Sequence, residues 1–214
     1  GSKKNHAIEK SGVSGTPAVN LLTNTSFEDT TGWTVTTQGY TAVKTEEQAY
    51  LGNKSYKLHS TTASGTAKLT QAVTVSEGGT YTLSAYVKLN GVSGTGVYAK
   101  LNNTASRSYT GTTNSQIQNG WQRISVTAEL ETGSNEVSVW LNNATGTAYV
   151  DCLQLEKGTG PSSYNLLSQT GLSGTIAGTP TELKANTQTI TVNAKLNTTF
   201  VLSGWAEANS VARR

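Results

Sequence analysis

The sequence predicts an all-β protein folded as a sandwich or barrel, and three observations carry that expectation. Thr is the commonest residue, about 36 of 214, and its β-branched side chain suits a pleated, half-buried surface better than a helix. From Asn20 to about Leu155 apolar and polar residues alternate with period 2, the pattern of strands with one face buried. Gly, Asn and Ser, about 61 residues together, punctuate that alternation with turns.

Composition removes other classes. There is no Met and no Leu-rich 3.6-residue pattern, which argues against a helical bundle. No run approaches the ~18 apolar residues of a membrane helix, so membrane insertion is not expected. Only 14% of residues are charged, against a usual ~25%. The net charge of +3, from 16 basic and 13 acidic residues, is scattered and does not make a nucleic-acid footprint. A single cysteine builds no disulfide framework. What remains is a soluble, Thr-rich β-protein of extracellular character.

Taken in order, residues 1–19 are small and polar, with turn signals at Ser14-Gly15 and Thr16-Pro17, and read as a leader or linker. Gly1-Ser2 reads as a cloning remnant, and the chain as part of something longer. The clearest strand is Tyr81–Leu89, with Leu83, Ala85, Val87 and Leu89 on one face and Ser84, Tyr86 and Lys88 on the other. Gly96–Leu101, Arg123–Leu130, Glu136–Asn142 and Ala148–Leu155 repeat the pattern as separate strands. An internal repeat sets the domain boundary. Asn20-Leu21-Leu22 recurs as Asn165-Leu166-Leu167, and Thr70-Gln71 with Val75 recurs as Thr187-Gln188 with Val192. Each unit continues into a Thr-aromatic-x-Leu-Ser strand, at Thr80–Ser84 and Thr199–Ser203. Residues 20–164 therefore read as one complete module, and residues 165–214 as the truncated start of a second.

Several motifs occur in a characteristic order: Asn20-Leu-Leu-x-Asn-x-Ser-Phe-Glu28, Gly32-Trp33, Gly52-x-x-Ser-x-x-Leu58, Tyr81-x-Leu-Ser-x-Tyr-Val-Lys88, Gly120-Trp121-Gln-Arg123 and Tyr149-Val-Asp-x-x-Gln-Leu-Glu156. In that order they resemble the jelly-roll carbohydrate-binding modules of the galactose-binding-like superfamily, found in bacterial glycoside hydrolases and in surface proteins with RHS/YD repeats. The resemblance covers roughly residues 20–165. It implies a jelly-roll β-sandwich of two antiparallel sheets, a glycan or polysaccharide as partner beside neighbouring modules of a parent chain, and a secreted or cell-surface bacterial setting. It also implies a structural calcium ion. The positions matching the family's ligands are Glu28 and Asp151, with backbone carbonyls around Gly52 and Lys54. Asp29 is an alternative to Glu28, and both carboxylates could instead make turn or cap hydrogen bonds without metal.

No catalytic constellation is expected. The two histidines, His6 and His59, stand apart, and no Gly-x-Ser-x-Gly or His-Glu-x-x-His motif occurs. Cys152, in a strand beside Asp151, reads as a buried inert thiol. Aromatic rings that stack on pyranose faces, with amides and ammonium groups for the hydroxyls, are the chemistry to seek. Alternation puts Tyr86 and Lys88, Tyr98 and Lys100, and Trp140 and Asn142 outward, and these six are the candidate ligand residues, expected on one exposed sheet face. Trp33 and Trp121 read as structural. The rival to a sugar-binding module is a spacer or protein-interaction module of the same fold, whose aromatic face is covered by its neighbours.

Overall fold

A computed structural model describes residues 19–164, together with two short strands at 172–174 and 192–194. The leader, and the repeat residues of the second unit apart from those strands, lie outside the described residues. Leu172–Gly174 and Val192–Ala194 pair antiparallel with each other.

Nine strands form the module: β1 (Thr34–Gln38), β2 (Thr41–Thr45), β3 (Ser55–Ser60), β4 (Thr66–Val75), β5 (Gly79–Leu101), β6 (Thr104–Ala105), β7 (Tyr109–Gly111), β8 (Gln122–Leu130) and β9 (Gly133–Lys157). All pair antiparallel. The two longest, β5 and β9, run side by side and bend together, so each serves both layers of a jelly-roll sandwich. In the first layer the order is β2, β3, the second half of β9, the first half of β5, then β8. In the second it is β1, β4, the first half of β9, the second half of β5, then β6 and β7 at the edge.

The expected inward residues are the ones that fill the space between the layers. Leu83, Ala85, Val87 and Leu89, then Val97, Ala99 and Leu101, then Val137, Val139 and Leu141, are all buried in one core. Burying each large aliphatic side chain contributes about 1.5–3 kcal/mol.

Strand segmentation is where the structure departs from expectation. Tyr81–Leu89 and Gly96–Leu101 belong to one strand, as do Glu136–Asn142 and Ala148–Leu155. The glycines between them bend the ladder instead of ending it. At Gly146 (φ +106°) an added Cβ would lie 2.5 Å from the Gly91 carbonyl oxygen, so β5 and β9 cross the corner in backbone contact. Pairing shifts register there, between Asn90 and Ser93.

The N-terminal motif closes the sandwich. Asn20 donates its amide to the Leu153 carbonyl at 2.8 Å and accepts from the Leu155 N–H at 3.0 Å, which straps the chain start along β9. Asn24, at φ +47°, ties its own loop through Asp29 and Thr31. Phe27 is fully buried, edge-on to Trp33 and Tyr56. Gln71 is polar at an inward position of β4, and its amide is satisfied by Thr23 and the Gly32 carbonyl of the same loop.

Candidate functional site

The corner in β5 and β9 decides which outward residues meet. On the outer face of the second layer, cross-strand register aligns Thr36, Lys68, Trp140 and Tyr98 in one row. The next row holds Thr70, Ser138 and Lys100, and the row on the other side Thr66, Asn142 and Gly96. The Trp140 and Tyr98 rings are half-buried and nearly parallel, 12° apart with centroids at 6.0 Å. Trp140 Nε1 donates to Ser138 Oγ at 2.7 Å. The Tyr98 phenol meets the Asn142 side chain, and burial is the larger influence, pushing its pKa above the usual value. Lys68 Nζ lies 4.8 Å from the Trp140 ring centroid and Lys100 Nζ 5.6 Å.

Four of the six expected ligand residues, Tyr98, Lys100, Trp140 and Asn142, thus share this face. Tyr86 and Lys88 do not. They lie on the part of β5 before the corner and point outward from the first layer, on the opposite side of the sandwich. Tyr86 is only 8% exposed: it stacks on Tyr50 at 3.7 Å and packs with Trp121 and Cys152. Lys88 donates to Gln48 Oε1 at 2.8 Å and to the Asn119 carbonyl at 3.1 Å. Period 2 placed both residues correctly as outward, but a continuous strand that changes layers carries its outward residues to two different faces. Lys68 was the residue missed. Its signal was available, since Ala67, Leu69, Val73 and Val75 alternate inward on β4 and leave Lys68 outward.

A groove of about 470 Å³ lies on the opposite side, between Tyr50, Leu51, Tyr86, Arg123 and Pro161–Tyr164. Its aromatic rings are turned onto one another, and Arg123 is bonded to Ser84 Oγ and the Ser162 carbonyl. That groove holds the chain's own exit segment against the sheet. Trp121, 3% exposed, and Trp33, whose Nε1 donates to the Asn24 carbonyl at 3.0 Å, both serve packing. Cys152 is a free, fully buried thiol, and burial pushes its pKa well up.

At the residues matched to a calcium site, Glu28 Oε1 accepts the Asn53 and Lys54 N–H groups at 2.7 and 2.8 Å. Gly52 leaves the carboxylate room, since a Cβ there would lie 2.2 Å from Oε1. Glu28 Oε2 and, two residues earlier in the chain, Ser26 Oγ are buried without a hydrogen-bond partner. Asp151 is differently occupied: Oδ2 accepts from Tyr50 and Leu51 N–H at 2.8 and 3.1 Å, and Oδ1 from Cys152 at 2.7 Å. Its burial, opposed by those three amides, pushes its pKa well above the usual carboxylate range. Asp29 is exposed and caps Thr30. Among the described residues no three His, Cys, Asp or Glu side chains cluster as a metal site. Of these three carboxylates, Glu28 is the one with a buried oxygen left without a hydrogen-bond partner.

Comparison with known proteins decides the family. The carbohydrate binding domain family CBM_4_9 matches residues 19–147, more than half of the chain. The chain belongs to this carbohydrate binding domain family. Its jelly-roll sandwich and its half-buried, outward-facing aromatic pair are in keeping with the family's carbohydrate-binding role. No curated protein matches the chain. Similar solved structures include a TmCBM61 domain in complex with β-1,4-galactotriose, at 18% identity and TM-score 0.49, covering 66% of this chain and 100% of that one. Another is the CBM22-1 xylan-binding domain of Xyn10C from Paenibacillus barcinonensis, at 22% identity and TM-score 0.45, covering 66% and 97%. A third is a module of lichenase 5A from Cellvibrio mixtus in complex with cellotriose, at 14% identity and TM-score 0.42, covering 66% and 100%.

Proposed function

We propose that this carbohydrate-binding domain is a non-catalytic module of a secreted or cell-surface bacterial protein and takes its glycan on the outer face of the second layer. The parallel Trp140–Tyr98 pair, flanked by Lys68, Lys100 and Asn142, carries the reading. The apolar face of a pyranose packs on the rings, while the ammonium groups and amide meet its hydroxyls. A non-catalytic role is supported by the family match, which is to a carbohydrate binding domain.

Calcium at Glu28 is the second part of the proposal. Glu28 Oε2 and Ser26 Oγ would supply ligands, and the ion would clamp the N-terminal motif to the turn at residues 52–54. Asp151 would act beside it, holding residues 50–51 by their amides.

Trp140→Ala tests the glycan face. The ring lies on the outer surface, so the variant should keep the fold and its melting temperature within about 2–4 °C, the equivalent of roughly 1 kcal/mol. Stacking a sugar on half of an aromatic surface of ~150–250 Å² is worth about 2–3 kcal/mol at ~25 cal/mol per Å². A glycan found by array screening should therefore bind at least tenfold more weakly, and unchanged affinity would remove this face as the site.

A further inference from the structure

We infer that the glycan recognised on this face is anionic, a pyranose chain bearing carboxylate or sulfate groups. This rests on the reading of Trp140 and Tyr98 as the binding face and deepens it.

The two lysines come from different strands, Lys68 from β4 and Lys100 from β5, which flank Trp140 on β9. Both ammonium groups are held near one indole, at 4.8 and 5.6 Å from its centroid. Neither has a carboxylate partner among the described residues. The ion pairs among the described residues are Lys57–Glu47 and Lys157–Glu77, both elsewhere. Glu136, the face's carboxylate, lies one row beyond Lys100 on the side away from Trp140, opposite Ala72, and forms no ion pair with that lysine. In a chain where only 14% of residues are charged, two unpaired like charges around one ring are a concentrated feature.

An aromatic ring attracts each cation but leaves the mutual repulsion of the pair unrelieved. For a neutral sugar the face already offers hydroxyls and an amide, from Thr36, Thr66 and Asn142, to meet sugar hydroxyls. What those groups lack is positive charge, and the lysines supply it on both sides of the stacking platform. A lysine ammonium is a mobile point charge rather than a planar fork. It selects for negative charge without distinguishing carboxylate from sulfate, so the class of ligand is set by charge.

The test uses the whole 214-residue chain and polymers paired by charge: polygalacturonate against its carboxyl-reduced galactan, and dextran sulfate against dextran. Isothermal titration or affinity electrophoresis reads the preference, and the two pairs separate carboxylate from sulfate. The anionic member of at least one pair should bind about tenfold more tightly than its neutral partner at low salt. That preference should shrink above ~0.1 M salt, where the screening length falls to ~10 Å. The double variant Lys68→Gln/Lys100→Gln should lose the preference, while Lys57→Gln/Lys157→Gln, which removes the same charge elsewhere, should keep it. Equal binding of neutral and anionic polymers, binding of no anionic polymer, or equal loss in the two double variants would overturn the inference. If neutral binding is equal but abolished by Trp140→Ala, the face stands and only its charge preference falls. Binding of any polymer that Trp140→Ala leaves unchanged would instead overturn the face itself.

Discussion

Gly146 is a position where the corner of the sandwich is directly exposed to a one-atom perturbation. In Gly146→Ala the new methyl meets the Gly91 carbonyl oxygen at 2.5 Å and the Val92 Cα at 2.7 Å, and these are backbone atoms that no rotamer change can move. The φ of +106° is itself outside the conformations that L-residues adopt readily, which costs about 1–3 kcal/mol. Relieving the overlap costs a further ~1–3 kcal/mol, and the stiffer unfolded chain returns only ~0.4–1 kcal/mol. The net loss is about 3 kcal/mol, or roughly 6–12 °C in melting temperature for a domain of this size. Gly91→Ala is the control across the same corner. Its φ is +60° and an added Cβ has nothing within 4 Å, so its cost stays at about 1 kcal/mol or less. Urea denaturation followed by tryptophan fluorescence measures both. If the two variants lose stability equally, within ~0.5 kcal/mol, then backbone contact at the corner is not what holds β5 and β9 together.

Two further expectations follow from the N-terminal motif and the tyrosines. A structural ion present at a hundred times its dissociation constant adds ~2.7 kcal/mol, so chelation should lower the melting temperature by about 5–10 °C. Glu28→Gln should abolish that response, and a wild-type protein insensitive to chelator would remove the calcium. Burial, helped by the hydrogen bond it donates to Glu47, pushes the Tyr149 pKa up to about 12 from the ordinary 10.0. The folded state thus favours the neutral phenol. Its stabilising contribution is complete below pH 10.0 and is lost as pH rises toward 12. Tyrosinate absorbance should show Tyr149 ionising late, a signal missing from Tyr149→Phe; ionisation near the ordinary value would refute the burial argument.

Much of this protein was determined by the sequence alone. Strict alternation assigned Leu83, Val87, Val97, Val139 and Leu141 to the core because a pleated strand has no other way to bury one face. The ordered motifs from Asn20 to Glu156 pointed to the carbohydrate-binding fold, and the structure supplies their reasons: Asn20 straps β9, Asn24 shapes its loop, Phe27 fills the core and Glu28 gathers the 53–54 amides. Outward and inward are local properties of a strand, written in its own residues. Which outward residues meet is not local. It depends on a corner set by backbone contact between residues 91 and 146, far apart in the chain. That corner sends Tyr86 and Lys88 to one side of the sandwich, Tyr98 and Lys100 to the other, and brings Lys68 from β4 beside Trp140. Only the tertiary structure could assemble that row, because cross-strand register couples three strands that alternation describes one at a time.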